Sequence, residues 1–305
     1  MFFENYWNET HKKYSTGKPV YDSWLDKYAL ILEKIKTPIL DLGCGSGNDT
    51  LYLTEKGFSV IACDYSDIAL EQVNQNIKNV KTIKLDISLP LPFEDNAFDL
   101  IIADLSLHYF DEKTTKNIMK EINRILKPNG NLLARVNSIS DLNYGAGQGQ
   151  RLEENYYFVD GYNKRFFSEN DAEKFFSIVG KTDIKETEIL RYTKPKKVIE
   201  INVQKEMKVY VVKAPQGEYE DYREPIIKVF ADKGKAEEYV KIENAKLPLE
   251  QADKCEECLW KWKMAFEHND EKPKCFNPDK YKTCQNYFKY SGISPLFMEE
   301  YEVEE

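Results

Sequence analysis

A short apolar strand, a turn with alternating glycines and a helix-like pattern follow one another in residues 39–51, which read ILDLGCGSGNDTL. The glycines are Gly43, Gly45 and Gly47, and Asp41 stands two residues before the first of them. A strand that leads through a glycine-rich turn into a helix is typical of parallel α/β sheets, in which the turn holds a ligand.

Strand and helix patterns alternate on both sides of this turn. Parallel sheets covered by helices on both faces have apolar strands of this kind, so we predict an α/β, Rossmann-like sheet of seven strands. The predicted strands are 38–43, 58–64, 81–86, 98–104, 131–136, 182–192 and 196–204, the last two as a closing pair. The predicted helices are 20–35, a segment ending near Lys56, 66–77, 114–126 and 168–180.

Acidic residues end consecutive predicted strands. Asp41 ends the first, Asp64 the second and Asp86 the third. The spacing of the turn is GxGxG, not the GxGxxG of pyrophosphate sites, and a carboxylate beside it disfavours phosphate. The pattern suits S-adenosylmethionine, which carries an ammonium and a sulfonium group: Asp64 would accept the ribose hydroxyls, Asp86 the adenine amine, and Ile87 would lie against the ring.

The first 205 residues resemble class I S-adenosylmethionine-dependent methyltransferases in the segments DLGCGSGNDTLYL, CDYSDIALEQV, LDISLPLPF and ADLSLHYF. The form GSGNDTLYLTEKGFSVIACDYS is similar to the small-molecule branch with thiopurine-type and tellurite-resistance-type enzymes. The resemblance implies an antiparallel final strand and transfer of a methyl group. The implied cofactor-binding residues are Asp41, Gly43, Cys44, Gly45, Gly47, Asp64, Tyr65, Asp86, Ile87, Asp104 and Leu105.

The segment after the fourth strand, DLSLHYF at 104–110, bears on the methyl acceptor. It lacks the Asp/Asn-Pro-Pro-aromatic turn of amino-directed DNA methyltransferases and the Pro-Cys of cytosine-C5 enzymes. His108 and Tyr109 are the candidate catalytic residues. His108 would accept a proton, contact the substrate or simply pack against the following short helix, whereas Tyr109 is better suited to the wall of a pocket.

Residues 137–167 predict a second wall of the acceptor pocket. Three glycines within five residues indicate that this segment is a mobile loop. Basic residues here, Arg151 and Lys164 among them, favour an anionic or electron-rich substrate. An ordinary tyrosine-rich loop packed on the sheet is the alternative. The candidate substrate residues are Tyr6, Trp7, Tyr144, Tyr157 and Arg165. Tyr6 and Trp7 resemble the aromatic pair that covers the cofactor in related enzymes, and packing of a terminal arm is the alternative.

A second domain is predicted from residue 206 to residue 305, after a methyltransferase domain at 1–205. It resembles uncharacterised small α+β domains, has a four-cysteine insertion at about 250–290, and would bind a protein partner or self-associate. Cys255, Cys258, Cys275 and Cys284 suit structural zinc, with His268 as an alternative ligand; free thiols and disulfides stay open.

The net charge of −9 and the lack of a dense basic block disfavour nucleic acid as partner. The sequence has no apolar run of about 20 residues and no signal-peptide pattern, so we expect a cytoplasmic protein without membrane association. We therefore predict an S-adenosylmethionine-dependent methyltransferase of a small molecule. The alternatives are a protein or nucleic-acid methyltransferase whose C-terminal module recruits the macromolecule, and a non-catalytic cofactor-binding regulator.

Overall fold

The computed structural model describes residues 2–14, 17–191, 194–213, 226–230, 233–245 and 297–302. The chain divides into two compact units, Met1–Glu206 and Met207–Glu305. No helix in these described stretches is long and apolar enough to cross a membrane.

Alternating helices and strands make up the first unit. Its helices are α1 (Phe2–Tyr14), α2 (Ala29–Leu32), α3 (Asn48–Glu55), α4 (Asp67–Asn76), α5 (Glu112–Ile125) and α6 (Glu169–Phe176). Its strands are β1 (Ile39–Leu42), β2 (Val60–Asp64), β3 (Lys81–Lys84), β4 (Phe98–Asp104), β5 (Leu126–Asn137), β6 (Gln150–Glu153), β7 (Tyr156–Val159), β8 (Tyr162–Arg165), β9 (Lys181–Arg191) and β10 (Lys194–Gln204).

Seven of these strands form one sheet in the order β3-β2-β1-β4-β5-β10-β9. Neighbouring strands from β3 to β5 run parallel, and β10 runs antiparallel to both β5 and β9. The predicted fold class, with its antiparallel final strand, is confirmed. The strand order reverses between β1 and β4, and open α/β sheets bind ligands beyond the carboxyl ends of the strands at such a point.

Apolar side chains fill both faces of the sheet. One cluster packs α5 and α6 against β4, β5 and β10, with Phe167 and Phe176 fully buried within it. A second packs Trp24, Leu25 and Tyr52 against β1 and β4, and a smaller third contains Ala62, Val73 and Ile77. Burial on both faces explains why the strands read as continuous apolar runs in the sequence.

The helix predicted over residues 20–35 is wrong in extent. The structure has only a 3-10 turn at Asp26–Tyr28 followed by α2. Trp24 donates from Nε1 to Asp49 at 2.9 Å, and the adjacent Leu25 is fully buried. These tertiary contacts fix the preceding chain in an irregular path, so the helical spacing of apolar residues does not extend into a helix.

Residues 150–165, predicted as part of a loop, form the antiparallel three-stranded sheet β6-β7-β8. The glycines before it serve a defined backbone path: Gly145 and Gly149 have φ of +99° and +79°. A Cβ atom at Gly149 would lie 2.2 Å from the carbonyl oxygen of Phe158. The glycine spacing therefore reflects the close approach of the Gly149 backbone to β7 as well as a turn.

The second unit contains strands β11 (Lys208–Lys213), β12 (Ile226–Phe230) and β13 (Phe297–Glu302) and helix α7 (Lys233–Ala245). Strand β11 pairs antiparallel with both of the others. This part of the chain has the predicted order of strand, strand, helix and last strand. The four cysteines of the predicted zinc site and His268 lie outside the described residues.

Candidate active site

The glycine turn between β1 and α3 lies against β2 and against the segment that follows β4. The amide of Gly43 donates to the carbonyl of Cys63 at 2.8 Å. Gly43, Gly45 and Gly47 all have positive φ, at +82°, +53° and +89°. A Cβ atom at Gly43 would lie 2.3 Å from Cβ of Ser106, so only glycine fits there without displacing the segment after β4.

Asp64 ends β2 beside this turn. Its Oδ2 accepts a hydrogen bond from the amide of Gly45 at 2.8 Å, and its Oδ1 accepts one from the amide of Ser66 at 2.9 Å. Each carboxylate oxygen has a second lone pair, so both can also accept from hydroxyl groups of a ligand. Asp64 therefore shapes the turn and keeps acceptor capacity.

Asp86 and Ile87 follow β3 at the same edge of the sheet. Oδ1 of Asp86 accepts from the amide and the hydroxyl of Ser88, at 2.9 and 2.6 Å. Cδ1 of Ile87 lies 3.4 Å from the position that a Cβ atom of Gly43 would occupy. The apolar side chain of Ile87 thus borders the glycine turn, as expected for a residue that packs against a ligand held there.

Asp41 lies buried beneath the turn. Burial raises the pKa of its carboxyl group to about 7, and the charges of Asp104 and Asp64 also raise this pKa. The hydroxyl of Thr50 donates a hydrogen bond to Asp41 at 2.5 Å and lowers the pKa in part. Burial likewise raises the pKa of Asp49 well above its usual value. Carboxyl groups are thus crowded under one turn; they would repel a phosphate, and a cation bound nearby would favour their ionised forms.

Asp104 and Leu105 occupy the end of β4. The two oxygens of Asp104 accept from Nε and Nη2 of Arg135, at 2.6 and 2.8 Å, so this carboxylate is held by β5. Leu105 has a φ of +53°, which is uncommon for a residue with a side chain. Its amide donates to the carbonyl of Arg135. This strained step directs the residues after β4 towards the edge of the sheet.

His108 follows in the same segment and is buried, with 3% of its surface exposed. Among the described residues, its Nδ1 is a buried polar atom with no hydrogen-bond partner. Burial lowers the pKa of this imidazole well below its usual value, and the charges of Lys196, Lys164 and Arg191 lower it further. His108 is therefore neutral near pH 7.

Four aromatic side chains meet beside His108, and we call them the aromatic cluster: Tyr6, Trp7, Tyr109 and Tyr162. The ring of Tyr109 lies 4.8 Å from Trp7 and 5.9 Å from Tyr162, and Tyr6 lies 4.8 Å from Tyr162. The ring of His108 is 4.2 Å from that of Tyr109. The structure thus brings three predicted substrate or catalytic residues together with His108.

Helix α1 carries the aromatic cluster's Tyr6 and Trp7 and also lies over the glycine turn. Ser66 donates to the side chain of Asn8 at 2.6 Å. Cε1 of His11 lies 3.4 Å from the Cβ position of Gly45. The predicted terminal arm is therefore a helix that spans both the turn and the aromatic cluster.

The remaining predicted substrate residues occupy different surroundings. Tyr144 lies with its ring 4.3 Å from Nζ of Lys196. The guanidinium of Arg165 is bonded to Glu153 and to the carbonyl of Phe110, and Tyr157 stacks edge-on against Phe166. Arg165 thus ties β8 to the segment after β4 and is not brought to the aromatic cluster.

Arg191 and Lys196 near His108, and His11 near the glycine turn, were missed as site residues. Lys164 was named for its charge but was not among the candidate substrate residues, and neither was Tyr162. The run YNKR at 162–165 carried a signal for both, as an aromatic residue followed by basic ones. Arg191 and Lys196 reach this edge because β10 is antiparallel to β9, so the end of one strand and the start of the other lie together. No local sequence pattern marks that meeting.

The thiol of Cys44, in the turn, has a pKa raised well above its usual value by burial. It therefore stays protonated and contributes to packing. Among residues that the structure describes, no group of three or more histidine, cysteine, aspartate or glutamate side chains could hold a metal ion.

Comparison with known proteins finds similarity in the part of the chain that contains the turn. Residues 39–130 match the family model described as "Methyltransferase domain". An uncharacterized methyltransferase of Synechocystis is 33% identical over 92 residues, which cover 30% of this chain and 43% of that protein. The match to the family model includes the glycine turn and the end of β2.

Two further relatives have named acceptors. A tRNA N(3)-methylcytidine methyltransferase of Drosophila melanogaster is 30% identical, over 47% of this chain and 48% of its own length. Phosphoethanolamine N-methyltransferase 1 of Triticum aestivum is 30% identical, over 43% of this chain and 29% of its own. The matches span less than half the length of each of these curated relatives.

Among solved structures, an S-adenosylmethionine-dependent methyltransferase of Methanosarcina mazei aligns with a TM-score of 0.49 and 23% identity. The alignment covers 58% of this chain and 97% of that chain. A 1,6-didemethyltoxoflavin-N1-methyltransferase of Burkholderia thailandensis aligns with a TM-score of 0.43 and 21% identity, over 55% of this chain and 72% of that one.

Proposed function

We propose that this chain, whose first unit is a class I S-adenosylmethionine-dependent methyltransferase domain, transfers a methyl group to a small molecule. The observation that carries the proposal is the glycine turn with carboxylates at the neighbouring strand ends. The positive-φ glycines allow close approach of a ligand, and Asp64 and Asp86 supply negative charge without a phosphate-binding arrangement.

The residues present fit S-adenosylmethionine, which supplies an electrophilic methyl group when bound. Asp64 would accept the ribose hydroxyls, and Asp86 the adenine amine, with Ile87 against the ring. Asp41 would act from beneath the turn without touching the ligand, because its carboxyl group is buried and accepts a hydrogen bond from Thr50. Asp104 would act indirectly, by holding Arg135 and the path of the chain after β4.

His108 and the aromatic cluster would receive the methyl acceptor. Methyl transfer needs alignment and exclusion of water more than it needs a strong base. The neutral Nδ1 of His108 can take the proton of the acceptor, because methylation makes that proton strongly acidic. The rings of the aromatic cluster would hold the acceptor and exclude water.

A macromolecular acceptor is the second candidate. The relative that is a tRNA N(3)-methylcytidine methyltransferase favours it, and the second unit would then recruit the RNA or a protein. The net charge of −9 opposes RNA, since binding of a phosphate backbone rests on basic side chains. Structural zinc in the second unit stays a prediction for Cys255, Cys258, Cys275 and Cys284.

Incubation of the full chain with labelled S-adenosylmethionine and a panel of acceptors tests the proposed function. The panel contains thiols, phenols, metalloid oxyanions, proteins and RNA. We expect label in the small-molecule fraction, and a transfer rate at least about 100-fold lower for His108→Asn. Label in RNA or protein alone would support the second candidate, and transfer to no acceptor would support a non-catalytic regulator.

A further inference from the structure

Three cationic side chains act on the unpartnered nitrogen of His108, each from a different strand. Lys164 lies on β8, Arg191 ends β9 and Lys196 lies near the start of β10. The side chains of Lys164 and Lys196 are both 6% exposed. Buried cations are costly unless they are paired, so their partners indicate which charge a ligand could use.

The two lysines have different partners. Nζ of Lys196 donates to Asn137 and to Asp141, which is 1% exposed, so its charge is matched inside the protein. Nζ of Lys164 donates to the backbone carbonyl of Tyr144 at 3.2 Å and to Asp160 at 2.7 Å, and the Asp160 carboxylate is 64% exposed. Because water can solvate the exposed Asp160 carboxylate, an incoming anion can replace it as the charged partner of the buried Lys164.

The ammonium group of Lys164 also lies over an aromatic face. Its Nζ is 4.6 Å from the ring centroid of Tyr162, and that ring is 5.9 Å from Tyr109. Tyr109 in turn lies against His108 at 4.2 Å between ring centroids. A flat ligand that contacts both tyrosines would therefore have a cation at one side and the unpartnered imidazole nitrogen at the other.

Building on the proposed methyl transfer, we propose that the acceptor is a small aromatic carboxylate. The ring of this acceptor lies against Tyr109 and Tyr162, and its carboxylate pairs with Lys164. A second polar group of the acceptor donates a hydrogen bond to Nδ1 of His108. Aromatic rings stack favourably on tyrosine, and a hydrogen bond between ionised groups is stronger than a neutral one. The site therefore favours a ligand that is both anionic and planar.

Calorimetric titration of the full chain, saturated with S-adenosylhomocysteine, tests this assignment with three probes. Benzoate is flat and anionic, benzamide is flat and neutral, and cyclohexanecarboxylate is anionic but not flat. We expect benzoate to bind at least about tenfold more tightly than either of the others.

Three variants test which residues give benzoate its advantage over benzamide. Lys164→Met should abolish the advantage of benzoate over benzamide, while Lys185→Met, at an exposed position on β9, should retain it. Asp160→Asn removes the competing carboxylate at an exposed residue whose φ of +56° suits asparagine. It should tighten benzoate binding several-fold and leave benzamide unchanged, so the test does not depend on the folding of the Lys164 variant.

Equal binding of benzoate and benzamide, or binding of neither while S-adenosylhomocysteine binds, would overturn the aromatic carboxylate and leave methyl transfer standing. Failure of S-adenosylhomocysteine to bind would instead contradict the proposed function.

Discussion

Replacement of Asp64 with alanine weakens binding of S-adenosylmethionine by at least about 100-fold. The variant loses the acceptors proposed for two ribose hydroxyls, and it also frees the amide of Gly45, which donates to Asp64 at 2.8 Å. Each hydrogen bond to a charged group contributes about 1.5–3 kcal/mol. Calorimetric titration of the cofactor into the wild type and the variant measures the loss.

Asp67→Ala is the matched control for Asp64→Ala. Asp67 begins α4 three residues later, and its carboxylate pairs with Lys84 at the surface, with 52% exposure. We expect little change in cofactor affinity for this control. Undiminished affinity in Asp64→Ala, or an equal loss in both variants, would contradict the assignment of Asp64 to the ribose.

Replacement of Arg135 with methionine lowers the free energy of unfolding by about 3 kcal/mol. Arg135 is 3% exposed and pairs with Asp104 and Asp22. Removal of the guanidinium leaves the carboxylate of Asp104 without its partner, close enough to raise the pKa of the buried Asp41. Urea unfolding followed by near-ultraviolet circular dichroism measures the change.

Two further variants separate the loss of the ion pair from general effects. Lys84→Met breaks an exposed pair with Asp67 and should cost less than about 1 kcal/mol. Addition of Asp104→Asn to Arg135→Met removes the unpaired charge and should restore part of the stability. An Arg135→Met protein as stable as the wild type would show that this buried pair does not hold the end of β4.

The sheet was predictable because its strands are buried on both faces. Segments such as FDLIIAD at 98–104 are apolar, short and bounded by turn residues, so their type follows from local sequence. The helix expected over 20–35 failed for the opposite reason. Its apolar spacing is helical, but Trp24 is bonded to Asp49, which lies 25 positions further along the chain, and that contact determines the local path.

The two halves of the site differed in how much the sequence revealed. Asp64 and the glycine turn form a local motif whose members lie at consecutive strand ends, so their proximity follows from a parallel sheet. The residues around His108 come from α1, β8, β9 and β10. The segment that forms the β6-β7-β8 sheet was predicted from the sequence as part of a loop. Lys164 and Tyr162 meet Tyr109 only because that small sheet forms.

Competition by a nucleotide and by a phosphate-free nucleoside tests most directly whether crowded carboxylates make the turn a site for a cation. Labelled S-adenosylmethionine is dialysed to equilibrium with the full chain, and an excess of ADP or S-adenosylhomocysteine is then added. We expect S-adenosylhomocysteine to displace the label and ADP to leave it bound. Displacement by ADP, with its diphosphate found against residues 43–47, would contradict the account.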